Sequence, residues 1–297
     1  MNRPLITQAD VVRKSRDLPG LPAVLKEILN TLDDPDANYN VLIKAILRDP
    51  VITARVLWVA NTAANMARRD GMVTDVATAV SLAGVARVRH VALISSLSTL
   101  AAGMKIPPGG RFWTHSISVG LACEELAMHV GQDPLAPRAL VAGLLHDIGQ
   151  LWLDHHDPVG HAQCRTLAHA KGLDIETLEI ERFGATHGMV GGWLAQFWQM
   201  PGDVADAIAL HHEPGEHHAS PLVAIVHIAE VLTHALQTGG DPPGGVTHLS
   251  AQACDTLGLT WDDTARTLFG RIEARSRHAN AFFSQTPTPN PSVTPAH

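Results

Sequence analysis

Apolar residues recur at three- and four-residue spacing along most of this chain, and strict alternation of apolar with polar residues is almost absent. A helix facing a core imposes that period, so the sequence predicts an all-α fold of packed helices. Over residues 22–32 a proline takes a first-turn position, and Val24, Leu25, Ile28, Leu29 and Leu32 follow on one face. Helices are expected next over 41–47, 50–60, 76–83 and 88–100; Asp49-Pro50 stops one helix and opens another, and Asn61 reads as a structural polar contact. Pro107-Pro108-Gly109-Gly110 continues neither helix nor ladder and marks the main internal boundary. Beyond it helices are expected over 113–129, 137–153, 159–171, 177–183, 188–199, 201–212 and 221–237, and, after a glycine-rich loop at 239–245, over 262–275.

The chain therefore divides into an N-terminal helical lobe (1–108), a second helical lobe (109–238), a C-terminal loop and helix (239–283) and a tail (284–297). The tail is rich in Pro, Thr and Ser, can bury little, and is expected to be disordered.

A formal net charge of −7 repels a phosphate backbone, and the basic spots at Arg68–Arg69 and at Arg87 and Arg89 have no flanking aromatics for base stacking. Nucleic acid is not an expected partner. Cys123, Cys164 and Cys254 are far apart and form no CxxC pair, which fits a reducing compartment. No apolar run has the length of a secretory signal or a membrane span, so a cytoplasmic location is expected. The unusual feature is the histidine content, 18 residues.

Among these, His146-Asp147 lies in an apolar stretch read as one helix over 140–153, and an adjacent imidazole and carboxylate can reach one cation as nitrogen and oxygen ligands. His115, His187 and the adjacent His211 and His212 also lie in helical contexts, and several inward imidazoles need hydrogen bonds or a cation to satisfy them. Glu230, on the 221–237 helix, can close the shell with another oxygen. The candidate metal ligands are thus His115, His146, Asp147, His187, His211 and Glu230, with His212 and Gln150 beside them as outer or phosphate-contacting groups. Iron, manganese and zinc all suit such a donor set. Packing readings stand beside these. His90, His129, His227 and His234 read as satisfied helix residues, and His155–His156, His161, His169, His217–His218 and His297 as exposed. Trp193, Phe197 and Trp198 read as core, and Gly191 and Gly192 as close-approach or packing glycines.

The order His115, His146-Asp147, His187, His211-His212 and an acid at 230 resembles the HD superfamily of metal-dependent phosphohydrolases. LPGLP (18–22), RDPVITARVLWVAN (48–61) and AVSLAG (79–84) narrow the resemblance to the HDOD branch. FWTHS (112–116), GLLHDIGQL (143–151), HGMVGGWLAQFWQMP (187–201) and HHEP (211–214) continue it. The resemblance implies a helical bundle projecting these groups onto one or two metal ions. It also implies a regulatory module of bacterial signal transduction, tied to motility, biofilm or cyclic-dinucleotide circuits and acting through a protein partner. The sequence departs from the related cyclic-di-GMP phosphodiesterases. Gln150 stands where they carry a lysine, Arg111 stands where they place a glutamate ligand, their GYP element is missing, and the final acid is Glu230 rather than aspartate. A neutral amide at 150 brings no cation to phosphate. Two expectations follow. One is a non-catalytic or weakly catalytic signalling module with a structural or sensory metal, Asp147 being the catalytic residue only if activity survives. The other is a metal-dependent phosphohydrolase acting on a nucleotide or cyclic dinucleotide. Apolar faces in the first lobe leave a homodimer open.

Overall fold

In the computed structural model the described residues are 5–16, 21–30, 39–66, 72–103, 110–215, 220–237, 249–261 and 263–285, without side chains at 63–66, 97–103 and 281–285. Arg68–Arg69, Pro107-Pro108-Gly109, His217–His218, the 239–245 loop, His297 and the tail from residue 286 on lie outside them. The described residues form helices and connections with no strand.

Those residues form two compact units. The smaller runs from Leu21 to Ala102, with residues from Asn280 on grouped with it. It contains α2 (Ala23–Asn30), α3 (Tyr39–Leu47), α4 (Pro50–Met66), α5 (Val76–Ala83) and α6 (Val85–Gly103, up to Ala102). Val24, Leu25, Ile28 and Leu29 are buried on one face of α2, as their spacing requires, and Leu42, Ile46, Ile52 and Val56 extend the core across α3 and α4. Asp49 opens α4 by accepting the Val51 and Ile52 amides (2.9 and 3.1 Å). The Asn61 amide donates to the Leu57 and Val73 carbonyls, while its oxygen accepts the Val73 amide at 2.7 Å, tying α4 to the entry into α5.

The larger unit joins α1 (Gln8–Ser15) to everything from Gly103 to Ala279. Its helices are α7 (Arg111–His129), α8 (Ala136–Leu145), α9 (Ile148–His156), α10 (Pro158–Lys171), α11 (Ile175–Phe183), α12 (His187–Phe197), α13 (Gly202–Leu210), α14 (Pro221–Gln237), α15 (Ala251–Leu257) and most of α16 (Asp263–Gln285). α7 packs on α8 and α14, α12 on α9 and α13, and α1 on α12. Ile6 donates its amide to the Phe183 carbonyl (2.7 Å) and Lys14 reaches His156 (2.7 Å), so residues 5–16 are fastened to this unit. Arg275 bonds Glu124 and Glu125 on α7 (2.6 and 2.5 Å), which holds α16 in place.

Helix packing is tightest at glycine. A methyl on Gly149 would lie 1.9 Å from the His187 carbonyl oxygen and 2.8 Å from the Gly191 amide nitrogen, so α9 and α12 meet backbone to backbone. Gly191 and Gly192 are both close-approach positions, against Ile208 and Ala209 of α13. Trp193, Phe197 and Trp198 differ from the core expectation: each is part-exposed, because the buried face of α12 is His187, Val190, Gly191, Leu194 and Ala195. The final helix is longer than the expected 262–275 and includes Ser284. No single described helix is long and apolar enough to cross a membrane; α5 and Val85–Ser96 of α6 meet that description only as a pair, bent by 119°.

Candidate metal centre

The expected continuous helix through His146-Asp147 is instead two. α8 ends at Leu145, Asp147 adopts φ −92° and ψ 8°, and α9 begins at Ile148. The apolar period continues through the break because the residues on both sides face the same core, which is why spacing alone does not reveal it. The break turns the buried imidazole of His146 and the nearly buried carboxylate of Asp147 toward one point.

His146 and His211 are held by the same local device. Each follows the last residue of its helix, α8 or α13, and donates from Nδ1 to a last-turn carbonyl, Gly143 or Ile208, at 2.8 Å. The bond satisfies an oxygen that the helix end leaves unpaired. It also fixes the proton on Nδ1, so each Nε2 carries a free lone pair. Both Nε2 atoms are buried and have no hydrogen-bond partner among the described residues. A buried imidazole nitrogen in that state costs stability unless something satisfies it. His227, expected to be a satisfied helix residue, is one: it donates to the His211 carbonyl (2.7 Å) and accepts the Ser250 amide (3.1 Å).

His187 opens α12 behind its Thr186 cap and donates from Nδ1 to Glu179 Oε2 (2.8 Å). His115, on α7, sets its Nδ1 against the Gln237 amide oxygen (3.3 Å). In every case the outer nitrogen is anchored and Nε2 faces inward. Asp147 lies among these inner nitrogens: Oδ1 is 3.3 Å from His187 Nε2, and Oδ2 is 3.4 Å from His146 and 3.9 Å from His115. Gln150 donates to Asp147 Oδ1 at 2.8 Å.

Donor atoms within 4.8 Å of one another form three overlapping groups: His115, His146 and Asp147; His146, His211 and Glu230; and His187, His211 and His212. Every residue expected as a ligand belongs to one. His212, expected outside the ligand set, joins the third; its Nε2 is 3.0 Å from His187 Nε2 and its side chain is 33% exposed at the rim. Arg111 is exposed at the start of α7.

The electrostatics follow the geometry. Burial pushes the His146 and His211 pKa values down, and around His211 the neighbouring imidazoles push further, so both are neutral. Burial opposes charge on Asp147, but His146, His187 and His115 outweigh it and hold the carboxyl well below its ordinary range. Burial also opposes charge on His187, yet Asp147 and Glu179 on its two sides raise its pKa well above the ordinary value. For His212, Glu230 and Glu176 overcome the same burial cost and raise it.

Sequence spacing did not reveal Glu176, Glu179 or His161. Glu176 lies 2.7 Å from His212, and Glu179 carries His187. His161, expected on the surface, is fully buried and donates from Nε2 to Glu179 Oε1 (3.0 Å). The available signal was the carboxylate pair at i and i+3 on α11, the helix that precedes His187. Burial raises the Glu179 pKa, but the His161 and His187 hydrogen bonds prevail and hold it at about 2 against an ordinary 4.5. A depressed carboxyl adds stability that is complete above pH 4.5 and is lost as pH falls toward 2. Acid unfolding followed by circular dichroism should therefore have a steeper limb in this window for the native chain than for Glu179→Gln; equal slopes would contradict it.

A family model described as the HDOD domain matches residues 18–214. An HDOD domain protein of unknown function from Geobacter sulfurreducens is 23% identical, covers 94% of this chain and 97% of its own, and superposes with a TM-score of 0.71. A Marinobacter aquaeolei VT8 protein, named for an inferred role in signal transduction, is 25% identical with a TM-score of 0.72, over 95% of this chain and 62% of that one. An uncharacterized protein of Treponema pallidum (strain Nichols) is 24% identical over 246 residues, which are 79% of this chain and 45% of that protein. The chain thus spans about half the length of that curated relative.

Proposed function

The chain belongs to the HDOD family, and from that premise we propose that it is a bacterial signal-transduction module whose histidine–aspartate centre holds a divalent metal for structural or sensory use rather than for turnover. The observation that carries this reading is the pair of buried, unpartnered Nε2 atoms of His146 and His211, aimed where Asp147 and His187 also converge. Neutral imidazoles with carboxylates suit iron, manganese or zinc. An ion there would satisfy the lone pairs and offset the charge of Asp147 and Glu230.

The rim supports the non-catalytic side. Among the described residues, the side chains bonded to the donors are imidazoles, carboxylates and the Gln150 and Gln237 amides. A phosphate arriving at the centre would meet Asp147, Glu176 and Glu230, with imidazoles but neither lysine nor arginine among those groups. The reading gives the smaller unit the partner-binding role. It exposes Tyr39, Leu47, Trp58 and Met72, large apolar side chains suited to a signalling protein or a second copy. The named role of the Marinobacter relative is consistent with signalling. The reading keeps the protein cytoplasmic and away from nucleic acid.

A metal-dependent phosphohydrolase acting on a nucleotide or cyclic dinucleotide is the second reading, favoured by the two separate donor groups at His115, His146, Asp147 and at His187, His211, His212. In that reading Asp147 and the imidazoles would hold an ion, whose chemistry there would be Lewis-acid polarisation of a phosphoryl oxygen. Elemental analysis of the full chain, with hydrolysis assays on bis(p-nitrophenyl) phosphate and cyclic dinucleotides in Mn²⁺ or Fe²⁺, separates the two. We expect bound metal without turnover. Turnover that disappears in Asp147→Ala would reverse the ranking.

A further inference from the structure

Asp154, His161, Glu179 and His187 lie on α9, α10, α11 and α12, four successive helices, and form one hydrogen-bonded line. His187 gives both its backbone amide and its Nδ1 to Glu179 Oε2, at 2.7 and 2.8 Å. His161 Nε2 gives to Glu179 Oε1 at 3.0 Å. At the outer end His161 Nδ1 is 2.8 Å from Asp154 Oδ1, which also takes a 2.8 Å bond from Arg165. The inner members, His161, Glu179 and His187, are fully buried, whereas Asp154 and Arg165 are 37% and 42% exposed.

We propose that Asp154, His161 and Glu179 are a positioning relay that holds His187 in the one tautomer and ring orientation presenting Nε2 to the centre, and so sets how tightly the centre binds its ion. The proposal rests on the reading that this centre binds a metal. A buried carboxylate survives only when its oxygens are satisfied. Each Glu179 oxygen has its own donor, one supplied by His161 and the other by His187. Removing His161 leaves Oε1 unpaired in a dry site, where the carboxylate must turn or take up a proton. Either response weakens the bond to His187 Nδ1, and with it the basicity and aim of Nε2. None of the relay residues is a ligand; they act through His187. Loss of such an outer partner lowers metal affinity by about 10–100-fold.

The test uses the full chain with Glu179→Gln, His161→Leu and His161→Gln. Zn²⁺ affinity is read by competition with a chromophoric chelator. In the metal-free protein, NMR reads the solvent-protected, low-field Nδ1 proton of His187. We expect Glu179→Gln and His161→Leu each to weaken Zn²⁺ binding by about 10–100-fold. His161→Gln, which keeps a donor for Glu179, should recover most of the loss. The His187 proton should be present in the native chain and in His161→Gln, and lost to exchange in His161→Leu. Native Zn²⁺ affinity in Glu179→Gln, or an unchanged His187 proton in His161→Leu, overturns the relay. If the native chain takes up no metal, the reading of the centre fails instead, and the proton signal alone decides the relay. Should His161→Leu fail to fold, the isosteric Glu179→Gln decides through affinity.

Discussion

Asp147→Asn should leave the helical fold standing and deprive the centre of its ion. The Asp147 carboxylate is shared by His187, His146 and His115, at 3.3, 3.4 and 3.9 Å, so it faces three inner nitrogens of the site. An amide keeps the shape but removes the negative charge, and its N–H end donates to the imidazole nitrogens and offers an ion no lone pair. Loss of an outer partner already costs about 10–100-fold in affinity, so loss of the central ligand should exceed about 100-fold. Metal content after equilibration with Mn²⁺ or Zn²⁺ and gel filtration measures it, with circular dichroism as the check on folding. Native metal content in a folded Asp147→Asn protein would remove Asp147 from the centre.

The second large effect is steric. Gly149→Ala places a methyl 1.9 Å from the His187 carbonyl oxygen, and backbone cannot rotate away as a side chain can. Overpacking usually costs about 1–3 kcal/mol, and a backbone collision of this depth should reach or exceed the top of that range. The helices forced apart are α9 and α12, which begin beside Asp147 and at His187. A lower urea midpoint and lost metal capacity should therefore appear together. Gly202→Ala is the control: a methyl there meets nothing within 4 Å, so the midpoint should barely move. A Gly149→Ala protein as stable as the native chain would mean that α9 and α12 are not packed this closely.

The helices were legible because burial imposes its period on the chain: Val24, Leu25, Ile28 and Leu29 point inward where their spacing puts them. The candidate ligands were legible because imidazoles in apolar helical stretches need a partner, and His146, His187 and His211 are all fully buried. The break at Asp147 was not, since apolar residues on both sides face one core and conceal a change of helix axis. His161 and Glu179 escaped for another reason. Their pairing joins residues 18 positions apart on different helices, and only the folding of α10 against α11 brings them together. Glutamate on a short helix normally implies solvent, and here Glu179 is fully enclosed.

The path of the backbone has a consequence of its own. α1 is seated on α12, yet the chain leaves that unit after Gly20 and re-enters at Gly103, so the smaller unit is an insertion between α1 and the rest of its own bundle. While folded, the insertion, residues 21–102, is a compact element of the link between α1 and the rest of its bundle. Unfolded, it becomes a slack tether, and each doubling of slack chain costs about 0.6 kcal/mol of closure entropy. Anything that melts residues 21–102 must therefore loosen the grip of α1 on the helix that carries His187, by connectivity alone.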